Sequence, residues 1–199
     1  MRLVPNTRPM KLLPLDNPQL IALVAGWLGR EENARWLDFG TGELLTAVSL
    51  TIMAQRDLHL LRAFTGDGND LPIGLVALSD IDLRAKSAGS LWAVLGRKNS
   101  WAYARRAASE LLTLGFGKLG LETVRAWVVE IHWPARRALE ELNFRYIGRR
   151  RRCQWIHGRP YDRLLYDLLA TEHHESAVRH AADPSVHLRR PPVPPPAAP

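Results

Sequence analysis

A strand–turn–helix–strand pattern over residues 90–129 constrains the fold of this chain more than any other stretch. Residues 91–95 form a short apolar run containing Trp and Val, which is typical of a buried strand, and Gly96 ends it. Apolar residues then recur at helical spacing: Ala104, Ala108, Leu111, Leu112 and Gly115. A second β-type run, Thr123–Val129, follows Gly120. This order predicts a βαβ unit whose two strands are parallel neighbours.

The predicted helix begins in a setting that suits an anion. Asn99 and Ser100 are residue types that favour helix N-caps, and the first N–H groups of a helix have no partner inside it. Such groups bind phosphate readily. Four cations surround this point in the sequence: Arg97, Lys98, Arg105 and Arg106. They indicate either an anion site or a solvated basic face, and charge alone favours the second.

From Pro72 to about Leu169 the chain resembles the GNAT superfamily of N-acetyltransferases, most of all the branch of ribosomal-protein N-terminal acetyltransferases. That branch has a strand, then G-x-x-x-x-W-G-x-G-Y-[GA], a helix, LGL, a strand, E-N-x-x-[SA], a helix and GF. The corresponding residues here are Gly96, Asn99-Ser100-Trp101-Ala102-Tyr103-Ala104, Leu119-Gly120-Leu121, His132, Ala135 and Asn143-Phe144. The segments PIGLVALSDID and GRPYDRLLYDLL are similar to the family's third-strand and last-strand signatures.

The resemblance implies that acetyl-CoA is a co-substrate, and no metal is predicted, because the histidines of the sequence lack the spacing of a metal site. The pyrophosphate of acetyl-CoA would meet the backbone amides of residues 99–104, and a backbone N–H near Ala93 or Val94 would polarise the thioester carbonyl. The opening between residues 91–95 and Thr123–Val129 would admit the pantetheine arm. The implied cofactor-binding residues are Trp92, Ala93, Val94, Asn99, Ser100, Trp101, Ala102, Tyr103, Ala104 and His132. The sequence departs from the family at Asn99, at Ala102, where Gly is usual, and at His132, where Asn is usual.

Two residues just past Thr123–Val129 are candidates for proton transfer. His132 has an unperturbed pKa near about 6.5 and is able to accept a proton from an ammonium group, and Glu130 would do so through a water. The alternatives are that His132 holds the cofactor arm or caps the next helix, and that Glu130 pairs with an arginine of the last hairpin. Tyr161 or Tyr103 would supply a phenol to the leaving thiolate, unless each is only a half-buried anchor.

The early helices form one wall of the acceptor site in the family, which implies that Trp36 and Asp38 line that site. A core position is the alternative for Trp36. The function expected is acetyl-CoA-dependent transfer of an acetyl group to a primary amine, directly and in a ternary complex. The acceptor would be a protein N-terminus, an amino sugar or another small amine. The alternative is a GNAT-fold protein that binds CoA or an anionic partner without turnover.

The net charge of +7 and a pI near 10.2 indicate attraction to anions and disfavour a polycationic acceptor such as an aminoglycoside. The run Arg149, Arg150, Arg151 and Arg152 predicts either weak attraction to nucleic acid or the ribosome, or a solvated edge strand. The second is favoured, because no nucleic-acid-binding motif accompanies the run. The single cysteine, Cys153, and the absence of a signal pattern favour the cytoplasm. A monomer or a homodimer is expected, with no membrane association.

The expected fold is α/β, with a mixed, mostly antiparallel central sheet, a βαβ acetyl-CoA-binding unit and helices on both faces. The domain organisation expected is a flexible lead-in over residues 1–9, a GNAT-like domain over 10–170 and a disordered His/Pro-rich tail over 171–199. Strands are predicted at 10–15, His59–Thr65, 73–78, 91–95, Thr123–Val129, 146–155 and 161–168. Helices are predicted at 18–28, 31–39, 44–55, in the βαβ unit and at 134–142.

Overall fold

The computed structural model describes residues 9–39, 45–68 and 70–174. Most of the predicted lead-in and the predicted tail from residue 175 onwards lie outside these ranges. The folded part continues four residues past the predicted boundary at 170. A 3-10 turn at Ala170–Glu172 leads to His173, whose Nε2 lies 2.8 Å from Thr113 Oγ1. Among the described residues, no helix combines the length and apolar character needed to cross a bilayer.

A seven-stranded sheet in the order β1-β2-β3-β4-β5-β7-β6 forms the centre of the molecule. Its strands are β1 (Leu12–Pro14), β2 (His59–Thr65), β3 (Pro72–Asp82), β4 (Ser87–Leu95), β5 (Thr123–Val129), β6 (Arg145–Ile156) and β7 (Arg159–Leu169). Every neighbouring pair is antiparallel except β4 and β5, which are parallel. The predicted mixed, mostly antiparallel sheet is therefore confirmed, as is the parallel pairing inside the βαβ unit.

Helices cover both faces of the sheet. They are α1 (Pro18–Leu28), α2 (Glu31–Ala34), α3 (Ala47–Ala54), α4 (Trp101–Lys118) and α5 (Trp133–Glu141). One apolar core joins α1 and α3 to side chains such as Leu75, Ala77 and Trp92, and a second joins α4 and α5 to Val76, Leu78 and Val128. Successive strand residues thus serve opposite cores, as the twofold alternation of a strand requires.

Local chemistry explains where the first helices begin. The Asn17 side chain accepts a hydrogen bond from the N–H of Gln19 at 2.8 Å, and Pro18 occupies the first helical position of α1. Thr46 accepts in the same way from the N–H of Ser49 at 3.1 Å at the start of α3. The second predicted helix is much shorter than the interval 31–39, since α2 ends at Ala34.

β6 and β7 exceed their predicted bounds by one or two residues at each end, and β3 and β4 exceed theirs by more. β3 continues to Asp82, and β4 begins as early as Ser87. The reason is that the outer halves of the two strands pair with each other across a tight turn. The carboxylate of Asp82 holds that turn by accepting from the N–H groups of Arg84 and Ala85, at 2.9 and 3.0 Å. Hydrophobic content alone marks only the inner half of each strand.

The arginine run does not alternate as a regular strand would. The pairing of β6 with β7 shifts register between Arg150 and Gln154, and Arg152 has a φ of +50°. Its N–H donates to Asp162 Oδ1 at 2.8 Å, while Arg149 forms an ion pair with Asp162 at 3.1 Å. This bulge lies on the strand at the edge of the sheet, where it interrupts the line of groups open to pairing.

Candidate active site

The parallel strands β4 and β5 separate halfway along their length. They pair from Ser87 with Thr123 as far as Leu91 with Ala126, with a register shift before the last pair. β4 then continues to Leu95 and β5 to Val129 without pairing to each other. A cavity of about 480 Å³ opens at this split. It is lined by residues of α2 and the segment after it on one face of the sheet, and by residues of α4 and α5 on the other, so it passes through the sheet.

The cavity reaches the loop of residues 96–100, here called the anion loop, and the start of α4. Asn99, Trp101 and Ala104 line it. Asn99 has a φ of +62°, a conformation that Asn tolerates better than most residues. The Ser100 hydroxyl donates to the carbonyl of Arg97 at 2.6 Å and does not cap the helix. Within the described part of the chain, no protein acceptor meets the N–H groups of Trp101, Ala102 and Tyr103, so they can bind an anion.

The cations near this helix start have different partners. Arg97, Lys98 and Arg105 line the cavity. Lys98 lies 3.9 Å from Glu32, and Arg105 is paired with Glu141. Arg106 instead turns towards the β2–β3 connection, where it is 3.3 Å from Asp67. Arg97 has no carboxylate partner among the described residues, and its charge is available to a ligand.

Backbone parity on β4 identifies which N–H groups face the split. The N–H of Gly96 donates to the carbonyl of Ile73 on β3 at 2.9 Å. Residues of an antiparallel strand direct their backbone groups alternately to one side and the other, so Val94 also faces β3. Ala93 and Leu95 therefore face the split, and the Leu95 carbonyl accepts there from the Asn33 amide at 3.0 Å. Of the two predicted carbonyl-polarising positions, Ala93 is correctly oriented and Val94 is not.

His132 lies between two indoles in the split. Its ring stacks on Trp36 with centroids 4.2 Å apart and an interplanar angle of 10°, and it meets Trp101 edge-on at 5.5 Å. Burial lowers the pKa of His132 to about 4, because it penalises the imidazolium. The imidazole is thus neutral near neutral pH. His132 stands at the N-cap of α5, but its side chain makes no capping hydrogen bond there.

The segment of α2 and the residues after it, which we call the acceptor wall (Glu32, Asn33, Trp36 and Leu37), closes the cavity on the α1–α3 face. Trp92 and Trp127 flank it, since both point to that face of the sheet.

The acceptor wall is fixed to the end of β4. The Asn33 amide donates to the carbonyls of Trp27 and Leu95, and Arg30 donates to the Gly96 carbonyl at 2.8 Å. A Cβ at Gly96 would collide with the Trp27 indole, so only glycine permits this close approach.

Asp38, predicted to line the acceptor site, lies outside the lining and forms an ion pair with Arg163 on β7. Arg163 is only 8% exposed, donates to Gln154 Oε1 through two nitrogens, and lies 4.1 Å from the centroid of the Trp127 ring. Its guanidinium thereby holds one of the cavity-lining indoles in place. Asp38 contributes to the site through Arg163 and Trp127.

The other predicted catalytic groups also lie away from the cavity. Glu130 does not line the cavity. Its Oε1 accepts from the Asp162 N–H at 2.9 Å, and this hydrogen bond fastens the end of β5 to β7. Tyr161 pairs with Gln154 in the β6–β7 hairpin. The Tyr103 ring lies beside Gly66, after β2. None of these three side chains lines the cavity, so their predicted proton-transfer or cofactor contacts have no geometric support.

Of the ten predicted cofactor-binding residues, six line the cavity: Trp92, Ala93, Asn99, Trp101, Ala104 and His132. The side chains of Val94, Ser100, Ala102 and Tyr103 do not, although Ala102 and Tyr103 supply free N–H groups. Sequence reasoning missed Asn33, Leu37, Trp127 and the inner face of α5. The face of α5 had a signal, since Ala135, Ala138, Leu139 and Leu142 recur at helical spacing.

No protein-family model matches the sequence, and no curated protein matches it. Among solved structures, the chain is similar to the spermidine N-acetyltransferase of Vibrio cholerae in complex with CoA and spermine. Identity is 18%, the TM-score is 0.70, and the match covers 82% of this chain and 96% of that one. A chimeric form of the Vibrio cholerae enzyme gives 18% identity and a TM-score of 0.68 over 81% of this chain and 96% of the other. A probable acetyltransferase gives 18% identity and a TM-score of 0.65 over 83% of this chain and 98% of the other. These likenesses show that the chain has the GNAT fold that its sequence predicts.

Proposed function

We propose that the protein is an acetyl-CoA-dependent N-acetyltransferase that transfers an acetyl group to a primary amine, directly and in a ternary complex. The observation that carries this proposal is the split between β4 and β5. It joins an anion-binding helix start on one face of the sheet to an aromatic wall on the other, through an opening with free backbone groups. A thioester placed in such an opening is reachable from the acceptor wall.

The residues of the helix start fit the phosphate end of acetyl-CoA. Free N–H groups at Trp101, Ala102 and Tyr103 and the positive end of the α4 dipole favour negative charge, and Arg97 and Lys98 add cations. Ala102 is exposed and stands outside the main cavity, so its Cβ leaves the lining unobstructed. The departure from Gly at this position is therefore compatible with phosphate binding.

The N–H of Ala93 is the group we assign to carbonyl polarisation. It faces the split, where a hydrogen bond would stabilise the negative charge that develops on the thioester oxygen. Attack by the neutral amine forms the C–N bond and breaks the C–S bond, and the proton that the amine gives up balances the charge of the leaving thiolate. No phenol lines the cavity among the described residues, so this proton reaches sulfur from the amine or from solvent.

His132 is better suited to position the substrates than to accept the proton. With a pKa of about 4, it would take a proton from an ammonium group of pKa about 10 only against a difference of about 6 units, or roughly 8 kcal/mol. Its stacking between Trp36 and Trp101 makes it part of the wall of the opening. The amine must then arrive neutral or lose its proton to water.

The test is a binding step followed by a turnover step. Acetyl-CoA should raise the melting temperature of the purified protein, less so at high salt, because phosphate contacts are screened. Release of free CoA thiol should then depend on an added primary amine. A thermal shift without thiol release for any amine would reject turnover and would favour the alternative, a GNAT-fold protein that binds CoA without catalysis. Absence of any shift at low salt would remove acetyl-CoA from the proposal. An N-terminal peptide in the amine panel tests the ribosomal-protein branch.

A further inference from the structure

The acceptor half of the cavity is lined mainly by apolar side chains, three of them indoles. Trp36 and Leu37 of the acceptor wall face Trp92 and Trp127, which point from β4 and β5 to the same side of the sheet. The Asn33 amide, which also belongs to the wall, already donates to two backbone carbonyls. A ligand that enters here meets indole faces and an aliphatic side chain and finds few hydrogen-bond partners.

The charges around this half of the cavity are unfavourable to a polycation. Glu32 is the one carboxylate among the described lining residues, and it lies 3.9 Å from the ammonium of Lys98. Asp38, which lies outside the lining, is engaged by Arg163. The three cations of the lining, Arg97, Lys98 and Arg105, belong to the anion loop and the start of α4 and add no negative charge to this half. A polyamine with three or four ammonium groups would therefore have to leave most of its charges without a counter-ion.

We infer that the acceptor is a primary amine carried on a single uncharged aromatic or branched apolar group, and not a polyamine. This inference rests on the proposed function. It also separates the chain from its fold neighbour, which is described in complex with spermine. One amine with one apolar body suits a cavity of about 480 Å³ that must hold the pantetheine arm as well.

The apolar wall also supplies a way to deliver a neutral nucleophile. Loss of hydration in an apolar cavity disfavours an ammonium ion relative to the free amine. An acceptor that enters as the free amine leaves its proton with solvent water, so no side chain of the cavity has to act as a strong base. The apolar body provides the binding energy that this deprotonation requires.

The experiment compares kcat/KM for phenethylamine, spermidine, ethanolamine and a short peptide that begins with phenylalanine, with the full chain and saturating acetyl-CoA. We expect phenethylamine or the peptide to exceed both spermidine and ethanolamine by at least about tenfold. The ratio between phenethylamine and the peptide distinguishes a free amine from a chain terminus. If spermidine is the best acceptor, the inference is overturned while the proposed function stands. If no amine releases thiol, the proposed function itself fails.

A variant series tests the residues. Trp36→Ala should lower kcat/KM for phenethylamine by at least about tenfold and change ethanolamine much less. Leu37→Glu, which adds a carboxylate to the wall, should shift the spermidine-to-phenethylamine ratio towards spermidine. Trp155→Ala is the matched control, because Trp155 is 65% exposed on β6 and outside the cavity. The acetyl-CoA thermal shift shows that each variant is folded, and Trp36→Phe serves if Trp36→Ala is not. An equal loss for all amines in Trp36→Ala or Trp36→Phe would overturn the inference.

Discussion

His132→Asn should change how the stability of the protein depends on pH. The wild-type imidazole is kept neutral by burial, with a pKa of about 4 in the folded chain against 6.5 for the unperturbed group. Because the pKa of His132 is lower in the folded chain, the unfolded chain takes up the proton at a higher pH than the folded chain does. The stabilisation that His132 contributes is therefore complete above about pH 6.5 and is lost as the pH falls towards 4.

The size of the effect follows from that difference. Between about pH 7.5 and about pH 5, one group with these two pKa values removes about 2 kcal/mol from the free energy of unfolding. Asparagine does not titrate, so the variant escapes this loss. It gives up two ring contacts instead, with Trp36 and Trp101, each worth roughly 0.5–1.5 kcal/mol. The variant should be less stable than wild type near neutral pH, and the gap should close by about 2 kcal/mol at about pH 5.

Urea unfolding of both proteins at the two pH values measures this gap. Burial also lowers the pKa of His59, but that residue is present in both proteins and cancels in the comparison. Trp155→Ala is the matched control, because Trp155 is 65% exposed, does not titrate and lies outside the cavity. Its gap to wild type should not depend on pH. If the gap for His132→Asn is the same at both pH values, His132 is not a buried neutral group and the argument fails.

Three further predictions concern the cavity. In turnover, His132→Asn should keep kcat within about tenfold of wild type, whereas loss of a general base would reduce kcat by roughly 10²–10⁴-fold. A pH–rate profile with the best amine decides between a positioning role and base catalysis. Ala102→Gly should leave the affinity for acetyl-CoA unchanged or raise it, since the free N–H groups of the first turn remain; calorimetry that shows a marked loss would mean that the loop binds differently. Gly96→Ala should lower the free energy of unfolding by roughly 1–3 kcal/mol, because its methyl group meets the Trp27 indole, and thermal melting without such a drop would contradict the close packing.

The fold was predictable because its main signals are local. The change from strand to helix periodicity around Gly96 predicted the βαβ unit, and β2 and β5 have the bounds expected from their apolar runs. β3 and β4 were predicted too short, since their outer halves contain many polar residues and are held together by backbone pairing and the Asp82 turn. Patterns of hydrophobicity do not report such pairing.

The site was predictable on its cofactor side and much less on its acceptor side. Asn99, Trp101 and Ala104 belong to one contiguous motif, so the sequence places them together. Asp38 and Arg163 are 125 positions apart, and their pairing depends on how α2 packs over the end of the sheet. Trp127 was missed for a similar reason, because its place in the cavity wall depends on its contact with Arg163 of another strand. Glu130 sits next to the site in sequence but turns its carboxylate to a backbone N–H of β7.

The contacts of Asn33, Arg30 and Trp27 with the last residues of β4 make the acceptor wall and the anion loop one mechanical unit. A ligand that orders the loop at Gly96 restricts the motion of the wall as well, so a second ligand at the wall has less conformational entropy to lose. The coupling is reciprocal, and the factor by which one substrate strengthens the binding of the other is the same in both directions. The two half-sites are thus linked through the Asn33 and Arg30 side chains and the backbone carbonyls of Leu95 and Gly96 at one strand end.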